Sequence, residues 1–179
     1  MRGAGKGRKV LVACLGNPDR GDDRLGPAVA HLLEGKLSAN ATIIVRSGDM
    51  LLLIEDFSGF DVVLCVDAAA PMGAPGRIHR LTADELPREF LLTSTHGFGL
   101  ADAIELARTL DRAPAEIAVY AVEGCCFDAG APMTPAVAAA AEETARRIAG
   151  EVGRLAAEPS MTFTEAAEGE LRQGCSASC

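Results

Sequence analysis

Short apolar runs of strand length alternate with stretches of helical period from Lys9 to Leu155, and this alternation constrains the fold more than any other feature of the chain. Lys9–Leu15 (KVLVACL) is Val-rich and stops at Gly16 and Asn17, as a buried strand stops at a turn. Leu25–Leu37 sets Val29, Leu32, Leu33 and Leu37 at helical spacing, so the intervening loop, with Asp19, Gly21, Asp22 and Asp23, feeds a helix N-terminus that Asp22 or Asp23 can cap. Ala41–Arg46 reads as a second strand, Met50–Phe57 as a short helix, and Asp61–Val66 as a third strand ending at Asp67. Arg77–Leu81 is short and mostly polar, which suits a sheet edge, with Arg77, His79 and Leu81 on one face. Leu100–Leu110 is helical in period, Glu116–Val122 is the last strand, and Thr134–Leu155 is a long Ala-rich helix with Thr134 as cap and Pro135 at its first position.

Such alternation predicts an α/β fold: a single-domain three-layer sandwich whose twisted, mostly parallel sheet of five strands carries helices on both faces. At 179 residues the chain suits one domain, expected over 8–157, between a flexible basic N-terminus (1–7) and a C-terminal tail (158–179) that lacks periodicity. With aromatics at 4% and no Trp, the core must come from Ala, Val, Leu and Ile.

Charge excludes some functions. Lys and Arg number 17 against 25 Asp and Glu, and the net charge of −8 opposes a nucleic-acid partner. The apolar run after the basic start is too short for a signal peptide or a membrane span, so the expected compartment is the cytoplasm, without a membrane partner. There the six cysteines should remain thiols. The adjacent Cys125 and Cys126 read as packing residues, and the tail thiols Cys175 and Cys179 are too few for a closed metal site.

In open α/β sheets, ligands bind beyond the carboxyl ends of the strands. Three residues meet that description: Asp23 after the first strand, Asp67 at the end of the third, and His96 in the loop before the penultimate helix. Two carboxylates and an imidazole form a mixed oxygen–nitrogen donor set that suits nickel, zinc or iron and leaves coordination positions open. A metal held there would polarise a peptide carbonyl or lower the pKa of a water. The spacing alone also allows Asp23 to be a cap and Asp67 to satisfy backbone amides. Asp22 reads as a cap rather than a ligand, Glu123 and Asp128 as loop acids or substrate contacts, and His31 and His79 carry no assigned role. Ser94 and Thr95 lie beside His96, but no Gly-x-Ser-x-Gly elbow is present. A dinucleotide site lacks its Gly-x-Gly-x-x-Gly turn.

Gly16–Gly26 (GNPDRGDDRLG) followed by PAVAHLL resembles the amino-terminal signature of the hydrogenase maturation endopeptidases. VDAAAPMGAPGRIHRL, STHGFGLADAIELARTL, VYAVEG and MTPAVAAAAEETARRI resemble that family's later blocks, in the same order, over about residues 9–155. The resemblance implies a five-stranded sheet flanked by helices and an endopeptidase that trims the C-terminal extension from the precursor of a [NiFe] hydrogenase large subunit after nickel insertion. It carries the family's metal-contacting residues onto Asp23, Asp67 and His96, as metal ligands and catalytic residues. The metal expected there is nickel supplied by the substrate, with no organic cofactor, because three protein ligands suit a metal shared with a partner's cysteines. Two positions depart from the pattern: Arg24 stands where the family often has Gly, and Asp19 adds a carboxylate. Two other functions fit parts of the pattern. A non-catalytic module would use the same three residues to recognise the nickel-loaded partner. CLGNP is also similar to the opening of peptidyl-tRNA hydrolases, but those have a His where this chain has Asp22 and Asp23.

Overall fold

A computed structural model of the chain describes residues 7–86 and 99–158. Its strands are β1 (Val10–Leu15), β2 (Ala41–Arg46), β3 (Val62–Ala69), β4 (Ile78–Thr82) and β5 (Glu116–Glu123). Its helices are α1 (Leu25–Leu33), α2 (Met50–Asp56), α3 (Leu100–Thr109) and α4 (Pro135–Ala157). The strands form one sheet in the order β2-β1-β3-β5-β4. All pairs are parallel except β4 with β5, so the polar run expected at an edge is an edge strand, and an antiparallel one.

Alternation along the central strands builds two cores. Val10, Val12 and Cys14 of β1, with Val62, Leu64 and Val66 of β3, face α1 and α4; Leu11, Ala13 and Leu15, with Val63 and Cys65, face α2 and α3. Every residue of β1 and β3 is buried, which is why both strands read as continuous apolar runs. Each fully buried Val, Leu or Ile contributes about 1.5–3 kcal/mol, and these two cores together hold the sheet between its helical layers.

Two boundaries differ from those read in the sequence. The first helix stops at Leu33, because Glu34 turns out of helical geometry (ψ 126°) and Gly35 adopts a left-handed φ of 70°. Leu37, beyond that stop, still packs on the α1/α4 core. The third strand does not end at Asp67: Ala68 and Ala69 continue it by pairing with Val122 and Glu123 of β5.

The carboxyl end of β1 is unusually crowded. Gly16 has a φ of 128°, and a Cβ there would stand 2.0 Å from the carbonyl oxygen of Asp23. A Cβ on Gly26 would stand 1.9 Å from the carbonyl oxygen of Leu15, so only glycine lets α1 begin directly against the strand it follows.

Candidate active site

The strand order reverses between β1 and β3: from β1 the chain proceeds to β2 on one side, and from β3 to β4 and β5 on the other. That crevice is the switch point at which open α/β sheets bind ligands. Asp23 and Asp67 flank it. Asp23 lies in a single 3-10 turn, Gly21–Arg24, after β1. Asp67 belongs to β3, one residue past the last β1–β3 pair, Cys14 with Val66. It falls on the α2/α3 face, where the strand's alternation otherwise places Val63, Cys65 and Ala69.

Among the described residues, neither carboxylate is well compensated. Asp67 is 8% exposed, and the hydrogen bond it accepts comes from the adjacent backbone N–H of Ala68, at 2.9 Å. Burial first, and then the charge of Asp23, push its pKa up to about 8, against a smaller lowering by the Ala68 N–H. Asp23 is half-buried and accepts the backbone N–H of Asn17 at 3.1 Å. Burial raises its pKa too, opposed by that bond and by the charge of Arg20. Two acidic groups raised by desolvation, one also by the other's charge, form a site that a cation would stabilise.

His96, the third residue expected here, lies outside the described residues, and so do Ser94 and Thr95. Among the described residues no group of three His, Cys, Asp or Glu side chains could hold a metal. The donor chemistry of Asp23 and Asp67 nevertheless fits a divalent ion, since two carboxylates with raised pKa values become fully charged on binding one.

Asp22 does something other than cap a helix. It is fully buried, and its carboxylate accepts the backbone N–H groups of Thr134 at 2.7 Å, Cys125 at 2.8 Å and Cys126 at 3.0 Å. Burial would raise its pKa, but those N–H donors outweigh burial and hold it below the ordinary carboxylate value. Its own N–H donates to the carbonyl of Cys126 at 2.7 Å, Gly21 N–H to Ala131 at 3.1 Å, and Gly130 N–H to Asp19 at 2.7 Å. The Arg20 guanidinium donates to the carbonyl of Phe127 at 3.2 and 3.3 Å. The loop that carries Asp23 is therefore sewn to the segment between β5 and α4. Thr134 does precede Pro135 at the start of α4, but its side chain makes no capping hydrogen bond.

Glu123 is likewise a buried anchor, and it closes β5 rather than lying in a loop. It accepts Ala74 N–H at 2.9 Å and Met72 N–H at 3.3 Å, and meets His79 Nε2 at 3.2 Å, which fixes the β3–β4 turn above the sheet end. His79, given no role by its sequence context, is thus part of that anchor. Cys125 is exposed and Cys126 partly exposed, so packing is not their main role; their backbone N–H groups hold Asp22. Arg24 is exposed and donates to the Pro18 carbonyl at 2.5 Å within its own loop. The roles of Asp22 and Glu123 had a faint signal in sequence: an acidic doublet in a glycine-bounded loop, and a carboxylate closing an apolar strand.

A family model described as hydrogenase maturation protease matches residues 27–151, more than two thirds of the chain. The chain belongs to that family. It is a hydrogenase maturation endopeptidase, a hydrolase of peptide bonds. The match includes Asp67 and His96 and begins just after Asp23. Among solved structures, the chain is similar to the hydrogenase maturating endopeptidase HybD from Escherichia coli, at 23% identity and a TM-score of 0.72, over 82% of this chain and 93% of that one. It is also similar to the [NiFe] hydrogenase maturation protease HycI from Thermococcus kodakarensis KOD1, at 20% identity and a TM-score of 0.68, over 82% and 94%. At such identities these structures bear on the fold, which agrees with the five-stranded α/β domain expected. No curated protein sequence matches the chain. Among the described residues, no helix of this protease is long and apolar enough to cross a membrane.

Proposed function

We propose that this endopeptidase removes the C-terminal extension of a [NiFe] hydrogenase large-subunit precursor once nickel has been inserted, and that Asp23, Asp67 and His96 read the nickel that the precursor carries. The observation behind this reading is the Asp23–Asp67 pair at the switch point, two carboxyl groups whose pKa values are raised, burial being the largest cause for each. A divalent ion bound there would polarise the scissile carbonyl or lower the pKa of an attacking water. The chain's part is to hold the donors. Arg20 and the Asn17 N–H keep Asp23 in place, and Asp67 gives up a proton as the cation arrives. In this reading the metal is part of the substrate, no organic cofactor takes part, and the protease acts in the cytoplasm.

The test is a processing assay with nickel-loaded and nickel-free precursor, read by intact mass. Loss of a short C-terminal peptide from the loaded form alone supports the proposal. His96→Ala and Asp67→Asn should abolish that loss in proteins that still fold, and full processing by either variant would sink the site. Binding of loaded precursor without cleavage would reduce the site to recognition.

A further inference from the structure

The loop between β5 and α4 carries adjacent thiols at a point where little backbone movement can be absorbed. Cys125 is exposed, Cys126 is partly exposed, and both are free. Their backbone N–H groups converge on one oxygen, Oδ2 of Asp22, at 2.8 and 3.0 Å. Asp22 is fully buried, so these donors are what satisfies its charge, together with Thr134 N–H on the other oxygen. The next residue is Asp23. The Sγ of Cys126 also lies 3.5 Å from where a Cβ on Gly21 would stand, against the same loop.

We propose that Cys125 and Cys126 form a dithiol that closes to a disulfide, and that closure releases Asp22 and disorders the loop presenting Asp23. Consecutive Cα atoms are about 3.8 Å apart across a trans peptide, whereas bridged cysteines usually need about 4.4 Å or more. The eight-membered ring that joins adjacent cysteines is therefore strained and turns the 125–126 peptide, whose own N–H is that of Cys126, so the N–H groups of Cys125 and Cys126 no longer converge on one oxygen. Asp22 is then a buried carboxylate short of donors, which the loop relieves by opening to water. The oxidant is a small-molecule disulfide such as oxidised glutathione. The exposed Cys125 thiolate attacks one of its sulfurs and expels one glutathione thiolate, and the Cys126 thiolate then attacks the mixed disulfide and expels the second. Two protein thiols are oxidised, one disulfide is reduced to two thiols, and the two protons lost by the cysteines end, through solvent, on the expelled glutathione thiolates. Thiols reverse the exchange. Cys14 and Cys65 are buried in the strands and take no part.

The test uses the full chain carrying Cys175→Ser and Cys179→Ser, incubated folded with oxidised glutathione and mapped by mass after digestion. The peptide containing Cys125 and Cys126 should lose two hydrogens without a glutathione adduct. Amide hydrogen exchange over residues 17–24 and at Thr134 should accelerate by about tenfold or more. Dithiothreitol should reverse both changes, and a further Cys125→Ser should prevent both. A pair that stays reduced, or that stops at the mixed disulfide, would overturn the proposal, as would a closed disulfide with unchanged exchange. The consequence for processing rests on the role given to Asp23 above: the oxidised protein should cleave at least about tenfold more slowly. Since the mass and exchange readouts involve no precursor, a failure of this switch and a failure of the Asp23 site are separable.

Discussion

The carboxylate of Asp22 accepts the backbone N–H of Thr134 at 2.7 Å, which fastens the loop after β1 to the start of α4 across 112 residues of sequence. Asp22→Ala should strand three backbone donors and lower stability by about 3–5 kcal/mol in urea unfolding. The pH dependence has a definite sign. The folded pKa lies below the ordinary 3.8, so the stabilisation is complete above the unfolded value and is lost as pH falls through the folded one. Asp22→Asn should flatten that acid limb in a series of melts between low and neutral pH.

Asp67 behaves in the opposite sense. Its pKa is raised from 3.8 to about 8, so between those values the folded protein holds a proton that the unfolded chain has released, and stability falls as pH rises across the window. Asp67→Asn should remove this slope, and the metal-free variant should melt several degrees above the parent at pH 9. The same variant should process precursor about a hundredfold more slowly or worse, since it loses a charged donor. A melting temperature that stays below the parent's at pH 9 would contradict the assignment.

In the proposed reading, a metal that binds Asp67 displaces that proton. Titration of the isolated protease with Ni²⁺ near neutral pH, in buffers of different ionisation enthalpy, should show release of about one proton per metal bound. Release should diminish as pH rises past 8, where Asp67 is already ionised. Asp67→Asn should bind more weakly and release almost none.

The turn between β3 and β4 hangs on Glu123. Glu123→Ala would free the N–H groups of Met72 and Ala74 and leave His79 without its carboxylate. An expected loss of about 3 kcal/mol or more, by urea unfolding, follows from the buried, charge-assisted bonds removed. Faster amide exchange at Met72 and Ala74 should accompany it.

Much of this fold is legible in sequence because burial writes itself as period. β1 and β3 are buried on both faces and read as unbroken apolar runs, while β4 at the edge reads as polar. What escaped was whatever depends on contacts distant in sequence. Ala68 and Ala69 are too small to announce a strand, and only pairing with β5 makes them one. Asp22 and Asp23 are chemically identical neighbours, and only the segment 124–134 decides which is buried as a fastener and which faces the crevice. The place of Asp67 after an apolar run was legible, whereas its raised pKa arises from burial first and then from Asp23, a neighbour carried by the loop after β1.

The fastening of Asp22 to Cys125, Cys126 and Thr134 also sets an order of events during synthesis. A nascent chain can pair β1, β2 and β3 while its last third is still unmade, yet the acidic loop has no partners until residues 124–134 emerge. The loop after β1 is therefore among the last parts to be fastened during translation, and a ribosome-bound or truncated chain that ends before residue 124 would carry Asp22 without the donors that hold it.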